Sequence, residues 1–102
     1  MKNILLVCAA GMSTSLLVNK MKAAAENKEE DIQIQATSGG ELNKYIESAD
    51  VLLLGPQVSY LQKDYKSRYA DMNIPIEVIS NTDYGTMNGE KVLQQALELT
   101  SE

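Results

Sequence analysis

The chain has no histidine and only one cysteine, Cys8, in its 102 residues. One cysteine cannot form an internal disulfide, which fits a reducing, cytoplasmic setting. A single thiolate without imidazoles cannot build a zinc site, so neither a metal nor another cofactor is expected. Positive charge is also scarce: 9 lysines and arginines against 14 acidic residues leave a net charge of −5. No basic field is available to displace counterions from a nucleic acid, so no nucleic-acid partner is expected. Long apolar runs are missing as well, none approaching the roughly 18 residues of a membrane span. After Lys2 the N-terminus enters a short apolar stretch, without the long apolar region and cleavage site of a secretory signal. With 44% apolar residues, the chain suits one globular domain over residues 1–102.

Strand-like and helix-like segments alternate along the chain. Ile4-Leu5-Leu6-Val7 and Val51-Leu52-Leu53-Leu54 are continuously apolar and read as strands buried on both faces. Residues 31–37 alternate, with Ile32, Ile34 and Ala36 opposite Gln33 and Gln35. Residues 74–79 carry Pro75 and Glu77, so both of these strands suit sheet edges. Helices are predicted over residues 13–27, after a Ser38-to-Glu41 capping box, over residues 58–71, and after Asn88-Gly89. Residues 80–87 read as a polar loop. The expected fold is an α/β three-layer sandwich: an open, four-stranded parallel sheet of order 2-1-3-4 with helices on both faces. The winding direction reverses between strands one and three, and ligands of such sheets bind at the carboxyl ends of the strands flanking that reversal.

Cys8 stands at that place. It follows the first apolar strand and precedes the small residues Ala9, Ala10 and Gly11, then Met12, then Ser13, Thr14 and Ser15 ahead of Leu16-Leu17-Val18. Strand, tight loop and helix start aim backbone N–H groups and the positive end of a helix dipole at one point. A lone cysteine is ordinarily a small buried hydrophobe. At a helix N-terminus, however, thiols ionise more readily and become nucleophiles. Ser13, Thr14 and Ser15 can cap the helix or donate to phosphate oxygens, and both roles stay open.

Two familiar phosphate loops fail here. A Walker A loop needs Gly-Lys-Ser/Thr, and no lysine lies between residues 3 and 19. Cysteine-dependent phosphatases place an arginine six positions after the nucleophile, where this chain has Thr14. Without that guanidinium, a phosphoryl group can be held but its hydrolysis is poorly supported. Three readings follow: a phosphoryl carrier, a low-molecular-weight cysteine phosphatase or arsenate reductase, and a phosphate-sensing module with Cys8 as core. Gln57, Asp83 and Tyr84 are possible borders of the site, with loop hydrogen bonding, turn chemistry and packing as their plainer roles. Lys66 and Arg68 read as a solvated face. Met12, Met87 and Tyr84 are candidates for adaptable docking surface, and Met87 equally for the core.

The stretch Cys8 to Leu17, together with Leu54-Gly55-Pro56-Gln57 and Asp83-Tyr84-Gly85-Thr86-Met87-Asn88-Gly89, resembles the IIB component of the bacterial sugar phosphotransferase system. The likeness is to the lactose/cellobiose family, in its cellobiose, chitobiose and lichenan branch. It implies a phosphotransferase with a phosphocysteine at Cys8 and a phosphate-binding loop over Ala9 to Ser15. It implies a phosphohistidine donor on an EIIA partner. The implied acceptor is a β-linked, cellobiose-like disaccharide or oligosaccharide held by the membrane component EIIC. Such a protein is cytoplasmic and meets the membrane only peripherally, through EIIC. The missing histidine agrees with a donor acting in trans.

Overall fold

The computed structural model describes residues 2–7, 11–28 and 31–100, and for 11–14 the backbone only. Strands β1 (Lys2–Val7), β2 (Ile32–Thr37), β3 (Val51–Leu54) and β4 (Ile76–Val78) alternate with helices α1 (Gly11–Ala25), α2 (Leu42–Tyr45), α3 (Gln62–Arg68), α4 (Asn81–Gly85) and α5 (Gly89–Thr100). The strands form one parallel sheet in the order β2-β1-β3-β4. The expected order and the expected central strands are both found.

Period-two alternation sorts the central strands between two cores. Ile4, Leu6, Val51 and Leu53 face Leu17 and Met21 of α1 and Val92, Leu93 and Ala96 of α5. Leu5, Val7, Leu52 and Leu54 face the opposite way, onto Leu42, Ile46, Tyr65 and Tyr69. Every residue of β3 is fully enclosed, which explains why that strand has no polar position. Helices cover both faces, so the three-layer sandwich is the observed architecture.

The seam between α1 and α5 is tight. A β-carbon on Gly89 would stand 2.5 Å from the Lys20 carbonyl carbon and 2.6 Å from the Met21 amide nitrogen. Backbone meets backbone there, and only glycine permits that approach.

Four local expectations are corrected. Ser38 makes no side-chain cap, and the chain enters a 3-10 turn over Gly39–Glu41 before α2. Two successive glycines are poor helix starters, so the Ser-to-Glu spacing does not close into a box. The helix predicted over 58–71 is broken into a 3-10 segment at Pro56–Leu61, then α3, then a 3-10 turn at Ala70–Met72. Val58, at φ −119° and ψ 24°, interrupts the first of these pieces. Residues 80–87 are also more than a loop, because they contain α4. Helix α1 starts two residues earlier than predicted, at Gly11.

Candidate functional site

Val7 closes β1 with Thr37 of β2 on one side and Leu54 of β3 on the other, and Val78 of β4 lies beyond Leu54. Neighbouring strands lie about 4.8 Å apart, so these four residues form one row across the carboxyl end of the sheet. The Gly55 amide donates to the Val7 carbonyl at 2.9 Å, and the Ile79 amide donates to Leu54 at 2.8 Å. The row therefore stays locked just beyond the strands themselves.

The chain leaves this row at Val7 and returns as α1 at Gly11. Cys8, Ala9 and Ala10 bridge the two and lie outside the described residues, as do the side chains of Gly11, Met12, Ser13 and Thr14. Their backbone from Gly11 onward is the first turn of a 15-residue helix. That turn carries no acidic residue. The partial positive charge of its unpaired N–H groups is thus not offset by a carboxylate in the turn. Leu17, Val18 and Met21 anchor the helix in the core, while Ser15 and Leu16 are exposed beside its start. The arrangement suits binding of an anion next to the residues that follow β1.

The other predicted border residues take distinct places. Gln57 is exposed in the 3-10 segment after β3. Asp83 lies in the first turn of α4, where its amide donates to the Ser80 hydroxyl at 3.0 Å. Tyr84 is only 7% exposed and packs in the core between the sheet, α1 and α5. Met87 is half-buried against the same core, the second of the two roles considered for it. Lys66 pairs with Glu77 at 3.7 Å and Arg68 with Asp64 at 2.9 Å. Arg68 also stacks over the rings of Tyr65 and Tyr69, 5.5 and 5.9 Å from their centroids. Both side chains stay exposed, at 52% and 54%, so the solvated face expected of them is found, with these pairings and the ring contacts added to it.

Residues 80–89 form a compact corner that residue patterning did not reveal. Ser80 caps the start of α4. At its end, Asn88 donates its amide to the Asp83 carbonyl at 2.9 Å and Met87 donates to Tyr84 at 3.1 Å. This paired C-cap requires a left-handed residue, and Met87 supplies it at φ 53°. The Asn88 side chain then accepts the Lys91 amide at 3.2 Å, capping α5. The Ser80-to-Asp83 spacing was the available signal. Exposed apolar side chains were missed too: Leu16 on α1 is 53% exposed and Tyr60 after β3 is 74% exposed.

Comparison with known proteins decides the family. Residues 3–95 match the family described as "PTS system, Lactose/Cellobiose specific IIB subunit". The chain belongs to this family. Among the relatives of this IIB domain is the oligo-beta-mannoside-specific EIIB component of Bacillus subtilis (strain 168). That protein is 42% identical over 99 residues, spanning 97% of this chain and 96% of its own. The cellobiose-specific EIIB component of Lactococcus lactis subsp. lactis (strain IL1403) is 43% identical over 103 residues, spanning 96% and 95%. In three dimensions the domain is similar to the cellobiose-specific phosphotransferase IIB component of Borrelia burgdorferi. The TM-score is 0.81 at 44% identity, covering 97% of this chain and 91% of the other. Family membership makes the domain a component of the phosphotransferase system, whose IIB proteins act as phosphotransferases with EIIA and EIIC partners. No helix among the described residues is long and apolar enough to cross a membrane.

Proposed function

We propose that Cys8 accepts a phosphoryl group from the phosphohistidine of an EIIA protein and passes it to a sugar held by a membrane EIIC. The observation that carries this reading is the acid-free start of α1, set three residues beyond the central strand β1. In the first step the thiolate sulfur attacks phosphorus in line, an S–P bond forms, and the P–N bond to imidazole breaks. In the second, a sugar hydroxyl oxygen attacks the same phosphorus and its proton leaves to solvent. The S–P bond breaks and the thiolate is restored. Both transfers spread charge over equatorial oxygens that the unpaired N–H groups at the start of α1 are suited to meet.

Thr14 stands where phosphatase loops hold arginine, so the phosphocysteine outlasts the interval between partners instead of reacting with water. Leu16 and Tyr60 offer exposed apolar contact for those partners. The sugar is β-linked, in keeping with the cellobiose and oligo-β-mannoside named in the relatives. The domain works in the cytoplasm and reaches the membrane through EIIC.

Reconstitution with phosphorylated EIIA and EIIC-bearing membranes tests the proposal. Sugar phosphate is expected with cellobiose-like substrates and is abolished by Cys8→Ser. Rapid turnover of an aryl phosphate by the isolated domain contradicts it and points to a phosphatase.

A further inference from the structure

Asparagine followed by glycine is a chemically unstable pair, and the chain contains it once, at Asn88-Gly89. Gly89 has no side chain to shield its nitrogen from the Asn88 side-chain carbonyl. In the reaction of such a pair the glycine nitrogen gives up its proton and bonds to the asparagine Cγ. The Cγ–Nδ2 bond breaks, and ammonia leaves with that proton. Water then opens the cyclic imide at either carbonyl. Opening at the side-chain carbonyl gives aspartate. Opening at the main-chain carbonyl gives isoaspartate, whose backbone runs through the side chain and is longer by a methylene.

The fold engages each reacting group of this pair at the start of α5. The Asn88 Oδ1 accepts the Lys91 amide at 3.2 Å, and the Asn88 carbonyl accepts the Val92 amide at 3.1 Å. The attacking group, the Gly89 amide, is buried and donates to the Met87 carbonyl at 2.9 Å. A buried, bonded N–H gives up its proton reluctantly. Closing the imide also holds the Asn88 backbone at a rotation that no helix cap adopts, so Gly89 has to swing aside. No room exists for that movement. A β-carbon on Gly89 would already lie 2.5 and 2.6 Å from backbone atoms of Lys20 and Met21 in α1. Packing of Val92, Leu93 and Ala96 in the shared core therefore keeps the pair closed.

We propose that Asn88 is a self-deamidation site gated by the docking of α5 on α1, and that isoaspartate formed there stops α5 from docking again. The pair reacts only while α5 is released. The two products then differ in consequence. Aspartate keeps an oxygen for the Lys91 amide, and its charge suits a helix start. Isoaspartate lengthens the chain between the left-handed turn at Met87 and Gly89, and displaces the glycine from the one position where it clears α1. The site is independent of the chemistry proposed for Cys8.

Long incubation at mildly alkaline pH, followed by peptide mapping of isoaspartate, tests the proposal. Isoaspartate is expected at position 88, forming about tenfold more slowly in the native chain than in the chain unfolded by urea. Leu93→Ala loosens α5 without touching the pair and is expected to speed the reaction by about tenfold. Urea below the unfolding midpoint speeds it in the parent chain, without any substitution. Asn88→Ser keeps a capping oxygen, cannot close the imide, and forms none at that position. The purified isoaspartyl chain is expected to lose amide protection along α5 and to unfold at lower denaturant, while Asn88→Asp matches the parent. Equal rates in the native and unfolded chains overturn the gating. An isoaspartyl chain as stable as the parent overturns the block on docking.

Discussion

The two faces of the sheet hold similar numbers of apolar side chains but organise them differently. On one face α1 and α5, of 15 and 12 residues, pack as long regular helices over an almost wholly aliphatic core. On the other, α2 and α3 have only 4 and 7 residues and are stitched together by 3-10 turns. That core includes two tyrosines whose rings lie 6.0 Å apart under Arg68. The helix whose first turn follows Cys8 belongs to the regular face. A loop that must hold a charged group in one geometry gains from a support that does not shift. The irregular face has no such demand on it.

Adjacent leucines of β3 measure this contrast. Leu53 points to the α1/α5 face and Leu52 to the other, and both are fully buried. Truncation to alanine costs about 2–5 kcal/mol in such positions, depending on how far the surroundings collapse. Leu53→Ala is expected near the upper end and Leu52→Ala about 1 kcal/mol lower, because short helical pieces relax into a cavity more readily than long ones. Denaturant midpoints of the two variants check this, and a larger loss for Leu52→Ala reverses the ranking of the faces.

Glycines give the next effect. Gly89→Ala drives a methyl group into the backbone of α1 and is expected to destabilise by about 1–3 kcal/mol. It also slows phosphoryl transfer, since α1 must move to relieve the contact. A β-carbon on Gly40, on the irregular face, would meet nothing within 4 Å. Gly40→Ala is expected to stay within about 0.5 kcal/mol of the parent, with transfer unchanged. Thermal unfolding and transfer rates, measured together, separate the two.

The smallest effect depends on pH. Burial pushes the Tyr65 hydroxyl above its ordinary pKa, with Arg68 pulling the other way. The folded chain then holds the phenolic proton more tightly than the unfolded chain. This contribution is fully present below the unfolded tyrosine pKa of about 10 and is lost as pH rises through the raised folded value. Tyr65→Phe is expected to reduce the loss of stability at alkaline pH while leaving neutral behaviour nearly unchanged. Equal alkaline sensitivity in both proteins means that Tyr65 does not drive it.

Much of this layout was legible in the sequence, for a physical reason. Four apolar residues in succession at Ile4–Val7 and again at Val51–Leu54 leave no polar face, so those strands had to be central. Gln33, Gln35 and Glu77 marked the edges in the same way. Helix boundaries were less legible, because one spacing serves two outcomes. Ser38 and Ser80 each precede an acidic residue three positions on. Ser80 caps a helix, whereas Ser38 is followed by Gly39-Gly40 and does not. The left-handed turn at Met87 was hidden for a related reason: glycine normally advertises it, and methionine does not. For the site, residue order alone named Cys8 and the loop after it as candidates, and the described structure adds the helix start at Gly11. The burial of Tyr84 depends on how α4 docks against α1 and α5, which no local pattern encodes.

The central claim is that Cys8 carries the phosphoryl group at the start of α1. Intact-protein mass spectrometry after incubation with phosphorylated EIIA, followed by fragmentation, tests it most directly. The expected result is the mass of one added phosphoryl group, located on Cys8 and absent from Cys8→Ser. An unmodified chain, or a phosphoryl group on any other residue, contradicts it.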